Sequence, residues 1–186
     1  MAAAIPKDLR SFFFDLMATA KTAADSLAVM KELANRGIDL IEISGGSYER
    51  PKMMGITFID YARQARADVD VPIMVTGGFR TREGIEEAVA SGDTDLVGLA
   101  RPLVLVPDLP HQLQAGTLQP VQVSHFSTGW HRLDRKVGSL IGLAYYEQQM
   151  ARLAAGQAIT RPQTAWPILG YALREQGLKA LIPWRG

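Results

Sequence analysis

The chain has 186 residues, of which 47% are hydrophobic and 21% charged, so it is long enough and apolar enough to bury a substantial core. Lys and Arg number 20 against 19 Asp and Glu, and the formal net charge of +1 gives no electrostatic reason to expect nucleic acid or an anionic membrane as a partner. The sequence contains no cysteine, which excludes disulfides, zinc–thiolate sites and cysteine-ligated clusters within it.

The N-terminal residues give no clear structural signal. The apolar run "SFFFDLM" is too short for periodicity to distinguish a strand from a helix, so residues 1–21 form an atypical segment. They superficially resemble a signal peptide, but Asp8 lies among the leading charges and Asp15 interrupts the apolar run. No stretch of the sequence approaches the ~20 apolar residues that cross a bilayer. We therefore expect a soluble, cytoplasmic protein.

An alternation of helices and strands begins at Thr22. The segment "TAADSLAVMKELANRG" has a capping-box-like start, apolar residues at helical spacing and a stop at Gly37, which together predict a helix. The segment "IDLIEIS" is rich in β-branched and long apolar residues and predicts a strand that ends at Gly45 and Gly46. A second helix is predicted in "ITFIDYARQARAD", with Phe58 on its apolar face, and a second strand in "VPIMVTGG".

The same alternation continues for one more step. A third helix is predicted in "TREGIEEAVASG", with Thr81 as its N-cap and Gly92 as its stop, and a third strand in "DLVGLA". Such alternation is typical of parallel strands joined by crossover helices, as in an α/β barrel or a doubly wound sheet. Beyond Pro110 the pattern is helical, in "SLIGLAYYEQQMARLAAG" and "QTAWPILGYALREQGLKAL", where Trp166 and Ile168 are expected to pack.

Two glycine-bearing segments follow successive strands. Because glycine lacks a Cβ and adopts positive φ readily, such segments let backbone N–H groups approach a phosphate. Together the segments predict a phosphate site made of six residues: Gly77, Gly78, Gly98, Leu99, Ala100 and Arg101. The Arg101 guanidinium would be its permanently charged clamp. The alternative is a tight strand-to-helix turn, with Arg101 paired to Asp108 on the surface.

The segments "GIDLIEISGGSYERP" and "VPIMVTGGFRTREGIEEAVASGDTDLVGLARPLVLVPDLP" resemble the C-terminal half of the Old Yellow Enzyme family. The similarity covers about residues 22–154. Members of this family are FMN-dependent NAD(P)H:flavin oxidoreductases and ene-reductases built on a (β/α)8 barrel. The resemblance implies that the three strands correspond to barrel strands six to eight and that the six residues named above hold the FMN phosphate. The lack of cysteine implies the FMN-only branch, without an iron–sulfur cluster.

The resemblance also implies that this chain is incomplete. It is shorter than the ~250 residues of a typical barrel. The His-His or His-Asn pair that orients substrate in the family, and the tyrosine that supplies a proton, belong to the half that this sequence does not match. We therefore expect a partial (β/α)8 barrel of an oxidoreductase that transfers hydride from NAD(P)H through FMN to an activated alkene. No catalytic residue is assigned, and no metal site is expected.

The expected organisation is one domain over residues 1–186. Residues 22–110 form the half-barrel with the phosphate loops, and residues 111–186 form a helical tail. A half-barrel exposes sheet edges and an apolar interior, so we expect a homo-oligomer or pairing with a complementing half-barrel. The expected ligand is a small-molecule substrate. Two other functions stay open: a catalytically inactive half-barrel that binds FMN weakly, and a barrel enzyme of the isomerase or aldolase type with a phosphate site.

Several chemically capable side chains receive no catalytic role. Glu42, in an otherwise apolar strand, is expected to face the barrel interior and to need a partner, in a structural or a catalytic role. Tyr48 does not match the family's proton donor and is expected to be a surface loop residue. The three histidines lack metal-like spacing and are expected on the surface or in helix packing: His111, His125 and His131.

Overall fold

The computed structural model describes residues 23–44 and 58–177. Two compact units divide them: the first contains residues 58–79, 83–99 and all those before residue 45, and the second contains residues 80–82 and 100–177. The predicted cap at Thr22, the glycines after the first strand, Tyr48 and residues 1–21 lie outside the described residues. The predicted division at residue 110 within a single domain stays a prediction.

The first unit is a three-stranded parallel sheet with helices between its strands. Its elements, in chain order, are α1 (Ala23–Asn35), β1 (Ile41–Ser44), α2 (Phe58–Arg66), β2 (Ile73–Thr76), α3 (Arg82–Ala90, within this unit from Glu83) and β3 (Leu96–Gly98). The strand order is β1–β2–β3, with every pair parallel. The predicted mixed α/β fold with a parallel sheet is thereby confirmed for the described residues.

The sheet has one covered face. In β1 and β2, buried residues alternate with half-exposed ones, as the period of two requires, whereas β3 has no buried residue. The covered face packs against α1 and α2, and the buried residues of this core are Met30, Ile41, Ile43, Tyr61, Ala62, Ala65, Val69, Ile73 and Val75. Burying a large apolar side chain of this kind contributes about 1.5–3 kcal/mol, so this face holds the unit together.

Tyr61 is the core residue that the apolar pattern did not indicate. The predicted apolar face of α2 included Phe58, which is half-buried, whereas Tyr61 is fully buried. Its hydroxyl donates a hydrogen bond to the sulfur of Met30 at 3.7 Å. Burial raises the pKa of the Tyr61 phenol above its ordinary value. The aromatic body of this side chain therefore fills the core while its polar end finds a partner there.

Glycines end two of these helices as predicted. Gly37, after α1, has a φ of 79°, and Gly92, after α3, has a φ of 76°. Both angles lie in the left-handed region that side chains with a Cβ rarely adopt. The Gly37 N–H donates to the carbonyl of Ala34, and the Gly92 N–H donates to that of Val89. The sequence signals at these helix ends are therefore confirmed.

Asp95 joins the start of β3 to β2. Its Oδ2 accepts a hydrogen bond from the backbone N–H of Ile73 at 2.8 Å and another from the Arg66 guanidinium. Its own N–H donates to the Ile73 carbonyl at 2.8 Å. The Thr94 hydroxyl donates to the same carbonyl at 2.9 Å. These bonds, the Ile73 N–H first and Arg66 second, hold the pKa of Asp95 below its ordinary value.

Beside the ion pair of Arg66 with Asp95 lies a second one, between Arg63 and Asp93. Arg63 of α2 binds Asp93 through two guanidinium nitrogens, with Nε 3.1 Å from Oδ1 and Nη2 2.7 Å from Oδ2. The bidentate hydrogen bonds from Arg63 lower the pKa of Asp93. Two arginines of α2 thus bind the loop that leads into β3, which fixes the helix and the strand relative to each other.

The second unit is helical. Its elements are α4 (Arg101–Leu105), α5 (Leu109–Ala115), α6 (His131–Ala154) and α7 (Trp166–Gln176). Helix α6 begins before the predicted segment, and the short α4 was not predicted. The Asp134 carboxylate accepts hydrogen bonds from the Ser127 hydroxyl at 2.6 Å and from the Thr128 N–H at 2.8 Å, which ties the preceding turn to the first turn of α6.

Two packing predictions in α7 have different outcomes. Ile168 is fully buried, as expected, whereas Trp166 is 52% exposed, so its predicted packing role was wrong. The Trp166 indole N–H donates to the Thr128 carbonyl at 3.1 Å, which fixes the ring by its polar edge and leaves much of its surface in solvent. None of the helices in the described part of the chain is long and apolar enough to cross a membrane.

Replacing Asp95 by Asn should destabilise the protein at neutral pH and change its response to acid. The neutral amide loses the charge that the Ile73 N–H and Arg66 stabilise, and the expected cost is about 1 kcal/mol because the carboxylate is partly screened by solvent. Because folding lowers the pKa of the Asp95 carboxyl, its charge stabilises the fold at pH values above the ordinary pKa of 3.8. That stabilisation is lost as the pH falls below this value.

Urea unfolding at about pH 7 and about pH 3 measures this effect. The difference between D95N and the wild type should narrow at the lower pH. D70N, at an exposed aspartate, is the matched control and should show little difference at either pH. An equal destabilisation by D95N at both values would contradict the expected role of the Asp95 charge.

Candidate functional site

The carboxyl ends of β2 and β3 bring the two predicted glycine segments together. Thr76 is paired with Gly98 in the register of the sheet. Immediately beyond β2, the Gly77 N–H donates a hydrogen bond to the Gly98 carbonyl at 3.4 Å. The juxtaposition of these segments at one edge of a parallel sheet, which the alternation of elements predicted, is therefore present within the first unit.

The Gly77–Gly78 turn has the backbone geometry that requires glycine. The φ angles are 111° at Gly77 and 88° at Gly78, both in a region that L side chains rarely adopt. A Cβ at Gly77 would lie 3.6 Å from the Phe58 ring, whereas a Cβ at Gly78 would meet no heavy atom within 4 Å. Among the described residues, the space beside Gly78 is therefore open.

Gly98 is required for a different reason. A Cβ at this position would lie 1.8 Å from the Thr76 Oγ1 and 2.8 Å from the Thr76 Cβ, distances that no side chain tolerates. The close packing of Thr76 against the Gly98 backbone therefore accounts for this glycine without any ligand. The sequence pattern marked the position correctly but could not identify the neighbour that excludes a side chain.

Glu42 has the partner that its place in an apolar strand called for. The Thr76 hydroxyl donates a hydrogen bond to the Glu42 Oε1 at 2.6 Å. Both residues lie on the half-exposed face of the sheet, in β1 and β2. The partner expected for Glu42 is therefore present. Thr76 was missed as a site residue, and its place directly before Gly77 was the one signal in the sequence that could have indicated it.

The remaining predicted residues begin at the end of β3. Leu99 is half-buried in the first unit, and Ala100 and Arg101 belong to the second, where Arg101 is the first residue of α4. No ion pair joins Arg101 to Asp108 in the described part of the chain, and the Asp108 carboxylate instead accepts hydrogen bonds from Gln112 at 3.0 Å. The membership of Leu99, Ala100 and Arg101 in a phosphate site stays a prediction.

The histidines lie where the sequence predicted, on the surface. All three are exposed: His111, His125 and His131. Within residues 23–44 and 58–177, no three His, Asp or Glu side chains cluster in a way that could hold a metal ion.

Replacing Gly98 by Ala should destabilise the fold by about 1–3 kcal/mol, because the new methyl group overlaps Thr76 and must displace it. The measurement is the free energy of unfolding in urea. Adding T76A should recover part of the loss, since it removes the atom closest to the new methyl group.

G138A, in α6, is the matched control for this substitution. A Cβ at Gly138 would meet no heavy atom within 4 Å, and alanine favours a helix, so this variant should be as stable as the wild type or more stable. A G98A protein with wild-type stability would show that Thr76 does not pack over Gly98 as described.

No protein-family model matches the chain. Several curated proteins resemble it over part of its length. The NADH-dependent flavin oxidoreductase iliE of Neonectria sp. (strain DH2) is 43% identical over 46% of this chain. The protein of the same name from Hypocrea jecorina (strain QM6a) is 37% identical over 46% of this chain, and the NADH-dependent flavin oxidoreductase iccE of Talaromyces variabilis is 39% identical over 42%.

The coverage of these relatives is small. This chain spans 14% of the Neonectria protein, 25% of the Hypocrea protein and 23% of the Talaromyces protein. The similarity therefore concerns one part of each relative, and at 37–43% identity it is well above what a shared fold alone requires. The predicted resemblance is confirmed: over a little less than half of its length, this chain is similar to NADH-dependent flavin oxidoreductases, as expected for a partial protein of the Old Yellow Enzyme type.

Proposed function

We propose that this chain is part of an FMN-dependent oxidoreductase of the Old Yellow Enzyme type and carries the loops that bind the FMN phosphate. The observation that supports this most directly is the meeting of Gly77 and Gly98 at the carboxyl edge of a parallel sheet. In (β/α)8 barrels, phosphates bind at the loops that follow the last two strands. The three strands then correspond to strands six to eight of such a barrel.

The glycine edge fits a phosphate group. The open space beside Gly78 and its positive φ allow a close approach of phosphate oxygens to the backbone. Arg101 follows Leu99 closely along the chain and would supply the positive charge that a dianionic phosphate requires. The backbone N–H of Ala100 would donate to the phosphate as well as the N–H of a glycine at this position would.

FMN, when bound, would supply the flavin ring that takes a hydride from NAD(P)H and passes it to an activated alkene. The residues proposed here would hold the phosphate and thereby place the ring, and they would not take part in the hydride transfer. The names of the three relatives specify NADH, which makes NADH the first reductant to test. We assign no catalytic residue within this chain.

Of the two other functions considered from the sequence, the isomerase or aldolase has less support. A phosphate-binding isomerase or aldolase would use the same strand ends, but the three relatives are all named flavin oxidoreductases. A catalytically inactive half-barrel would retain flavin binding without turnover. Binding and turnover must therefore be measured separately.

The half-exposed face of the sheet supports a proposal about assembly. Parallel sheets are almost always covered on both faces, yet Leu96 of β3 is 47% exposed and Met74 of β2 is only half-buried. We propose that complementing barrel strands cover this face, supplied by a second polypeptide or a second copy of this chain. The small-molecule substrate would then bind inside the completed barrel.

Purified protein mixed with FMN should retain the flavin, with an absorbance band at about 450 nm that comes from the cofactor. R101A should weaken FMN binding by roughly tenfold, the effect of losing one charge-assisted contact. R174A, at an exposed arginine in α7, is the control and should bind FMN as the wild type does. Protein that stays colourless with excess FMN would overturn the proposed function.

NADH oxidation with an enone acceptor then tests activity. We expect little turnover from this chain alone, because its sequence does not match the half of the family that carries the substrate-orienting residues. Rapid turnover by the chain alone would show that its own residues complete the active site.

Sedimentation velocity tests the proposed assembly. The chain should sediment as a dimer or larger species, because association removes the apolar surface around Leu96 from water. L96K, which places a charge on this face, should shift the protein towards the monomer, whereas V89K, at an exposed valine of α3, should not. A monodisperse, folded monomer across the micromolar range would rule out a second copy of this chain as the source of the covering strands.

A further inference from the structure

Three residues link the three strands on the half-exposed face of the sheet. Glu42 of β1 accepts a hydrogen bond from the Thr76 hydroxyl of β2 at 2.6 Å. The Thr76 Oγ1 in turn occupies the space directly over the Gly98 backbone of β3, 1.8 Å from where a Cβ would stand. We infer that Glu42 is a positioning residue for the phosphate-binding edge and acts through Thr76. This inference rests on the proposed function.

The first step is the orientation of Thr76. A β-branched side chain has few accessible χ1 rotamers, and a hydrogen bond to its hydroxyl selects one of them. The acceptor here is a carboxylate, and the short distance of 2.6 Å is typical of strong, charge-assisted O–H···O bonds. Glu42 therefore fixes the rotamer in which the Thr76 hydroxyl lies over Gly98.

The second step joins this rotamer to the glycine turn. Thr76 directly precedes Gly77, whose N–H donates to the Gly98 carbonyl at 3.4 Å. A bond this long is weak by itself, so it cannot alone determine how the two strand ends are aligned. The contact of Thr76 with the Gly98 backbone adds the missing constraint. Removing Glu42 frees Thr76 to rotate, and the alignment of Gly77 with Gly98 becomes looser.

The proposed phosphate site consists of backbone groups at these two strand ends. Backbone N–H groups can bind a phosphate only when the rest of the chain keeps them in position. A looser alignment should therefore weaken binding of the phosphate part of the ligand and leave contacts with the rest of the flavin unchanged. Riboflavin, which has the same ring system but no phosphate, separates the two contributions.

The test compares FMN and riboflavin affinities, measured by fluorescence quenching, for the wild type and for variants at both ends of the hydrogen bond. E42A should weaken FMN binding by about tenfold, the effect expected from losing one charge-assisted constraint, with riboflavin binding unchanged. E42Q retains a carbonyl oxygen that accepts from Thr76 and should recover much of the affinity. T76S, which keeps the hydroxyl, should bind better than T76V, which lacks it.

D95N is the matched control, because Asp95 joins the same two strands at their opposite end. It should lower the stability without changing the ratio of FMN to riboflavin affinity. If E42A and D95N lose equal amounts of FMN affinity, or if E42A loses equal amounts of FMN and riboflavin affinity, Glu42 is only a general stabilising residue. Either result would overturn the inference.

Hydrogen exchange at the Gly77 amide provides a measurement that does not depend on flavin. The exchange rate should rise several-fold in E42A relative to E42Q, as expected when a backbone hydrogen bond opens more often. If the wild type binds no FMN, the proposed function fails, and the exchange rate still decides whether Glu42 positions the strand ends. Unchanged exchange in E42A would overturn that role.

Discussion

The parallel pairing of β2 with both of its neighbours is the constraint on which the described sheet depends. Side-chain contacts reinforce it at each end. At the amino end, Asp95 binds the backbone of Ile73 and the guanidinium of Arg66. At the carboxyl end, Thr76 packs over Gly98 and binds Glu42. Because short parallel strands have few ladder bonds, these side-chain contacts determine how rigidly the glycine turn is held.

The glycines at this edge have two different physical causes. Gly77 and Gly78 adopt backbone angles that favour glycine, and no atom of the described residues fills the space beside Gly78. Gly98 lacks a side chain because Thr76 occupies the space that one would need. The proposed phosphate site therefore depends on the Gly77–Gly78 turn, and Gly98 contributes to it by allowing the two strand ends to approach closely.

Charge and polarity are distributed unequally between the two ends of the sheet. Arginine–aspartate pairs hold the amino end, where strong pairing stabilises the fold at neutral pH. Within the described residues, the carboxyl end carries the Glu42 carboxylate, which is bonded to a neutral hydroxyl. This division agrees with a barrel arrangement in which one end of the strands supplies stability and the other supplies the binding site.

Local signals in the sequence determined the elements, because they depend on residues close together in the chain. Apolar spacing and the stops at Gly37 and Gly92 identified three helices, and short apolar runs identified three strands. The paired glycine segments indicated which edge of the sheet to consider. The five-residue α4 escaped this approach because so short a helix contains little more than one period.

Only the tertiary structure decided which distant residues meet. Tyr61 fills the core beside Met30, Asp95 binds the backbone of Ile73, and Thr76 binds Glu42, 34 positions away. No local pattern specifies such pairs, because each partner alone satisfies the propensities of its own element. Their contacts arise when crossover connections place strands side by side, and this same step places the predicted glycines at one edge.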